Sequence, residues 1–204
     1  MAKVVPLFTH CNGLNIGSGF IVALSGRHWL VTAAHIGRGE VGPHSRWQEW
    51  PAQLSAVLPT GTVAFQLFNG SLEGRKPRFA HLGSEGDGIA DFMAIPLAGA
   101  INGVRAHVLD ASYSPIVGLE MRALGFPNLG GAWPAARRSK HKCRVTETTR
   151  ELVRYSPPTV PGFSGGPLID DDKRLCGLTF GHDDGVGKGV SNFAMSAIIA
   201  QSGL

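Results

Sequence analysis

The sequence predicts an all-β fold, two antiparallel six-stranded β-barrels followed by a short C-terminal helix. Three observations carry that expectation. Short apolar or alternating runs recur at close spacing, bounded by turn residues. Glycine and proline are abundant, 28 and 13 among 204 residues, so turns outnumber helices. Two series of about six short strands follow one another with no long helical pattern between them and no internal repeat. Hydrophobic residues at 43% and charged residues at 17% fit a folded chain with a real core rather than a disordered one. A formal charge of +4 is too small to indicate a nucleic-acid partner by itself.

In chain order, Gly19–Leu24, a turn at Ser25-Gly26-Arg27-His28 and Trp29–Thr32 read as a hairpin. Residues 37–61 mix Gly, Pro, Trp and charges without period and read as a long loop. Thr62–Phe68 alternates and ends at the turn pair Asn69-Gly70, while Phe79–Leu82 and Asp91–Leu97 are strands separated by the Gly83–Gly88 loop. The boundary between units is placed at Gly99–Gly103, dividing the chain into residues 1–104 and 105–204. The second series begins with Val104–Leu109, then Leu119–Phe126, Lys142–Thr148 and Glu151–Tyr155. Pro167–Asp170 and Leu175–Phe180 form a hairpin around Asp171-Asp172-Lys173. Gly189–Met195 reads as a last strand and Ser196–Gln201 as a terminal helix closed by Gly203.

Three separated stretches carry chemistry. Pro161-Gly162-Phe163-Ser164-Gly165-Gly166-Pro167 sets a serine among glycines, which turn the chain sharply and aim bare N–H groups at one point. A serine hydroxyl needs a base to take its proton. His35, after Val31-Thr32-Ala33-Ala34, is the candidate base. Asp91, opening an apolar strand, is the candidate group to orient the imidazole, with Asp87 as a rival. The expected site lies between the barrels, with His35 and Asp91 from the first and Ser164 from the second.

These motifs resemble the trypsin/chymotrypsin-like serine peptidases. Thr32-Ala33-Ala34-His35 is similar to that family's histidine motif, Asp91-Phe92-Met93-Ala94-Ile95 to its aspartate motif, and Gly162–Pro167 to its serine motif. Leu175-Cys176-Gly177-Leu178 resembles the strand leading to the substrate wall. The resemblance spans Gly17 to about Met195 and implies a chymotrypsin-like fold. It also implies a His35–Asp91–Ser164 triad and an oxyanion hole made by the backbone N–H groups of Gly162 and Ser164. Phe163 stands where secreted members carry an aspartate that pairs with a newly cut N-terminus, so activation by clipping is not expected. With no disulfide framework, the chain looks closer to bacterial HtrA-like or viral members.

By the same resemblance, Pro158 lies at the bottom of the primary pocket, which argues against cleavage after Lys or Arg. Thr159-Val160-Pro161-Gly162-Phe163-Ser164-Gly165 is similar to the pattern of plant-virus and glutamyl-specific peptidases. Thr159 and His182 are therefore candidates to bind an acidic or amide side chain, beside Phe180; a small apolar side chain fits equally. Ordinary loop polarity explains Thr159 and His182 as readily.

Two rivals remain beside the endopeptidase. The literal Gly-x-Ser-x-Gly match suggests an esterase elbow, but such an elbow needs a helix after the serine, where Gly165-Gly166-Pro167 stand instead. A catalytically silent binding scaffold of the same fold stays open. Three cysteines, Cys11, Cys143 and Cys176, read as free thiols, with a Cys143–Cys176 pair as the alternative. The histidines lack metal-ligand spacing, so no metal or other cofactor is expected. Arg137–Lys142 with Arg144 reads as a solvated basic loop without the interleaved aromatics of a nucleic-acid surface. The partner expected is a protein or peptide substrate. With neither a signal core nor a transmembrane run, the expected compartment is cytoplasmic.

Overall fold

The computed structural model describes residues 1–10, 14–39, 46–82, 91–128, 133–134 and 138–204. Cys11, the Gly83–Gly88 loop with Asp87, and Arg137 lie outside the described residues.

The first sheet has eight strands: β1 (Val5–His10), β2 (Leu14–Leu24), β3 (Arg27–Thr32), β4 (Gln53–Leu58), β5 (Gly61–Gln66), β8 (Ala80–Leu82), β9 (Phe92–Leu97) and β10 (Ala106–Val108). Their order is β5-β4-β1-β2-β3-β9-β8, with β10 added in parallel beside β2. β2 is long enough to serve two neighbours on one side, pairing β1 through its first half and β10 through Ile21–Ala23. This sheet is curled and open among the described residues, where the sequence predicts a closed barrel of six. A two-stranded ribbon of β6 (Phe68–Asn69) and β7 (Lys76–Pro77) stands beside it. The second sheet is a closed barrel of six: β11 (Glu120–Gly125), β12 (Ser139–Thr148), β13 (Leu152–Ser156), β14 (Pro167–Asp170), β15 (Leu175–Asp183) and β16 (Val186–Val190). The molecule is an all-β, chymotrypsin-like fold.

Several elements depart from the sequence pattern. β1 and β4 arise where the pattern shows no strand. In β4 the buried positions are Leu54, Ser55, Ala56 and Leu58, and the small polar Ser55 hides the apolar run. The 37–61 stretch therefore holds a helix end, a 3-10 turn at Trp47–Glu49, β4 and the start of β5 rather than one long loop. β10, expected to open the second series, instead hydrogen-bonds to the first sheet. The basic stretch is strand rather than loop: Lys140, Lys142 and Arg144 alternate outward in β12 while Cys143 and Val145 point in. The last strand ends at Val190, and helix α2 runs Asn192–Gln201 because Ser191 caps it, accepting the Ala194 N–H at 3.1 Å.

α2 buries Met195 and Ile199 in the same apolar cluster as Phe20, Leu30 and Phe92 of the first sheet. The barrel has its own core around Tyr155, Val153 and Leu168. Cys143 and Cys176 are free and buried, and burial pushes their thiols up to about 11 and about 12. No helix among the described residues is long and apolar enough to cross a membrane.

Candidate active site

β3 and β9 are antiparallel neighbours with Thr32 opposite Met93. That register puts the residues just past Thr32 beside those just before Met93. His35 lies not at the strand end itself but in the first turn of α1 (Ala34–Arg38), and Asp91 immediately precedes β9. Their side chains meet. Asp91 Oδ1 accepts the His35 backbone N–H at 2.9 Å, and Asp91 Oδ2 pairs with His35 Nδ1. Asp91 is buried, whereas the His35 ring keeps 30% of its surface exposed. A carboxylate holding one ring nitrogen selects the tautomer with its proton on Nδ1 and leaves Nε2 free to take another. Asn15 Nδ2 steadies the same turn by donating to the His35 carbonyl at 2.8 Å.

Ser164 lies in the second of two successive tight turns that share Phe163. In the first, Phe163 N–H closes onto Val160 O at 3.3 Å, with Pro161 leading and Gly162 at φ +93°, the signature of a type II turn. In the second, Gly166 N–H closes onto Phe163 O at 2.8 Å with Gly165 at φ +83°. The loop is pinned to β15 on both sides: Gly165 N–H donates to Thr179 O at 2.7 Å and Thr179 N–H to Gly166 O at 2.9 Å. Among the described residues, the backbone N–H groups of Gly162 and Ser164 donate to no other backbone group. The Ser164 hydroxyl lies 3.5 Å from Phe180 O, and no hydrogen bond joins it to His35 among the described residues.

The tie between the two sheets is Ser18, which the sequence pattern does not single out. It is fully buried in β2. Its N–H donates to Ser164 O at 2.8 Å, and its hydroxyl donates to Gly162 O at 2.7 Å while accepting from Phe126 N–H at 3.0 Å. Its carbonyl accepts from Thr32 Oγ1 at 2.8 Å. The available signal was the flanking pair Gly17 and Gly19, since glycine inside a strand marks close backbone approach. A Cβ on Gly17 would stand 2.9 Å from Ser164 O, and one on Gly165 2.9 Å from Ala33 N, two residues before His35. Ser18→Ala is expected to lower stability by about 1–3 kcal/mol, because it strands the buried Gly162 carbonyl and the part-buried Phe126 N–H. Urea denaturation measures this; an unchanged midpoint refutes the role.

Of the expected pocket residues, Thr159 joins a cluster of hydroxyls. Its Oγ1 lies 3.2 Å from Tyr155 Oη and 3.4 Å from Thr179 Oγ1, and Tyr155 and Thr179 bond directly. Tyr155 and Thr179 carry no signal in sequence, being ordinary inward strand positions. Pro158 is half-buried. Phe180 brings its carbonyl to Ser164, while its ring packs on the core. His182 is exposed, opposite Gly187 on β16, and makes no hydrogen bond to Thr159 among the described residues.

The family model of the trypsin-like peptidase domain matches residues 17–178. No curated protein sequence matches the chain. Among solved structures, a serine endoprotease from Yersinia pestis superposes with a TM-score of 0.67 at 16% identity, covering 98% of this chain and 62% of that one. The chain thus spans less than two thirds of that relative. The Rv3671c protease of M. tuberculosis, in its active form, gives a TM-score of 0.63 at 17% identity over 98% of this chain and 81% of that one. The HtrA-type protease AlgW, solved with a tripeptide, gives 0.64 at 17% identity over 98% and 59%. At such identities the likeness is one of fold.

Proposed function

The chain belongs to the trypsin-like peptidase family, and from that membership we infer that it is a serine endopeptidase working through an acyl-enzyme. In this reading Ser164 Oγ attacks the peptide carbonyl as His35 Nε2 takes its proton. Asp91 holds His35 in the reactive tautomer and stabilises the imidazolium. The Gly162 and Ser164 N–H groups receive the developing oxyanion, a contribution whose loss typically costs about 10²–10³ in turnover per donor. His35 returns the proton to the leaving amine, and water then releases the acyl group by the same route. The amino-terminal unit, residues 1–104, supplies His35 and Asp91; residues 105–204 supply Ser164 and the pocket. Protein or peptide chains are the substrates. Pro158 and the Tyr155–Thr159–Thr179 hydroxyls offer no countercharge to Lys or Arg, so a neutral, amide or acidic side chain suits the pocket, Phe180 and His182 lying at its mouth.

The observation that carries this reading is the double grip of Asp91 on His35, at Nδ1 and at the backbone N–H. A fluorophosphonate probe tests it. The folded protein is expected to be labelled at Ser164 with fluoride released, and Ser164→Ala to stay unlabelled. The competing reading, a silent binding scaffold, draws on the Ser164 hydroxyl lying toward Phe180 O rather than His35. Catalytic hydrogen bonds in free enzymes are often long and tighten with substrate, which favours the enzyme. Absence of labelling in folded wild type decides for the scaffold.

A further inference from the structure

A cleft of about 260 Å³ opens at the back of the seam between the sheets, lined by Lys3, Arg105–Val108, Asp110, Tyr113 and Lys173–Leu175. Neither His35, Asp91 nor Ser164 lines it. The turn following β14 forms one wall, at the opposite end of that strand from Ser164.

Its polar groups divide sharply into spent and free. Arg174 is neutralised, with Nε 2.8 Å from Asp170 Oδ2 and a terminal nitrogen 3.2 Å from Asp172, its guanidinium lying over the Tyr113 ring. The Tyr113 hydroxyl donates to Asp170 at 2.8 Å. His107 is buried with Nε2 3.2 Å from the Lys3 carbonyl, and burial holds its pKa below the usual imidazole value, so it adds no charge. By contrast, Lys3, Arg105 and Lys173 pair with no carboxylate among the described residues. Burial and four neighbouring cations, Arg105, Lys173, Arg138 and Lys140, hold the Lys3 ammonium below the ordinary lysine range. Two of those four belong to the basic stretch that the peptidase chemistry leaves without a role. Asp110 is the one carboxylate on the lining; it pairs with no cation among the described residues, and its Oδ1 accepts the N–H and hydroxyl of Ser112 at 2.9 and 2.6 Å. With Arg174 and its partners Asp170 and Asp172 included, four cations around the cleft face three carboxylates, an excess of one positive charge, and the cations left without a carboxylate partner are Lys3, Arg105 and Lys173.

We propose that this cleft binds the dianion of a phosphoryl group, with Lys3, Arg105 and Lys173 as its ligands. Arg105 supplies the planar fork suited to two phosphate oxygens, and the lysines supply point charges. The volume exceeds that of a bare phosphate, and Ala106, Val108 and Leu175 give the surplus an apolar wall, so a small phosphomonoester is the natural occupant.

Titration calorimetry on the full chain carrying Ser164→Ala keeps this test independent of catalysis. Inorganic phosphate, phenyl phosphate and succinate are the probes. Both phosphates are expected to bind and succinate to bind at least tenfold more weakly. Tighter binding of phenyl phosphate assigns the site to an ester, and equal binding assigns it to free phosphate. Lys3→Ala, Arg105→Ala and Lys173→Ala should each weaken binding about tenfold, as for charge-assisted hydrogen bonds. Lys76→Ala with Lys142→Ala should change nothing. Lys173→Glu, at an exposed turn, serves where another variant fails to fold. The proposal is overturned if neither phosphate binds, if succinate binds as well as phosphate, or if folded variants keep wild-type affinity.

Discussion

Replacing Asp91 by Asn is expected to lower kcat for peptide hydrolysis about 10⁴-fold while the protein stays folded. The reason is local. An Asn side chain can still accept the His35 backbone N–H, now held by Oδ1 at 2.9 Å. The other arm, which meets His35 Nδ1 as a carboxylate oxygen, becomes an NH₂ donor. Nδ1 must then accept, and the ring proton moves to Nε2, where the base is needed bare. Asp91 is buried, so water cannot easily substitute for the lost acceptor. Steady-state hydrolysis and the rate of fluorophosphonate labelling both read the loss, with circular dichroism confirming the fold. An Asn variant retaining more than about a tenth of wild-type turnover contradicts the assigned role of Asp91.

Gly162→Ala is expected to be the most damaging single methyl in the site. At φ +93° any other residue is strained. The added Cβ would overlap Phe126 O and stand 2.8 Å from Asn128 N and 3.1 Å from Pro127 C. These are backbone atoms and cannot swing aside as a side chain would. The turn must reopen, tilting the Gly162 N–H away from the oxyanion position. Turnover should fall by at least about 10²–10³, and stability by about 1–3 kcal/mol, the range for strained positions. Gly26→Ala separates strain from collision. Gly26 has φ +77° in the β2–β3 turn, but a Cβ there meets nothing within 4 Å. It should cost some stability and leave kcat unchanged. Equal kcat in the two variants removes Gly162 from the proposed mechanism.

The local order of residues determined much of this protein. Alternating runs and the glycine-rich turns foretold β2, β3, β9 and most of the barrel strands, because period and turn chemistry act within a few residues. The stretch around Ser164 declared its shape for the same reason: Pro161, Gly162 and Gly165 occupy the positions two successive tight turns demand. Neighbours distant in sequence were decided by tertiary packing. Ser18 looks like any strand serine, yet it holds Gly162, Ser164 and Phe126 because β2 runs under the serine loop. β10 joined the first sheet because the second half of β2 left an edge free after β1 ended. Tyr155, Thr159 and Thr179 became one hydroxyl cluster through barrel closure, and Lys3 came to face Lys173 through the seam between sheets. Alternation records which face a residue takes; it carries no record of which strand will lie opposite, and that is set by how the two sheets bury their apolar faces.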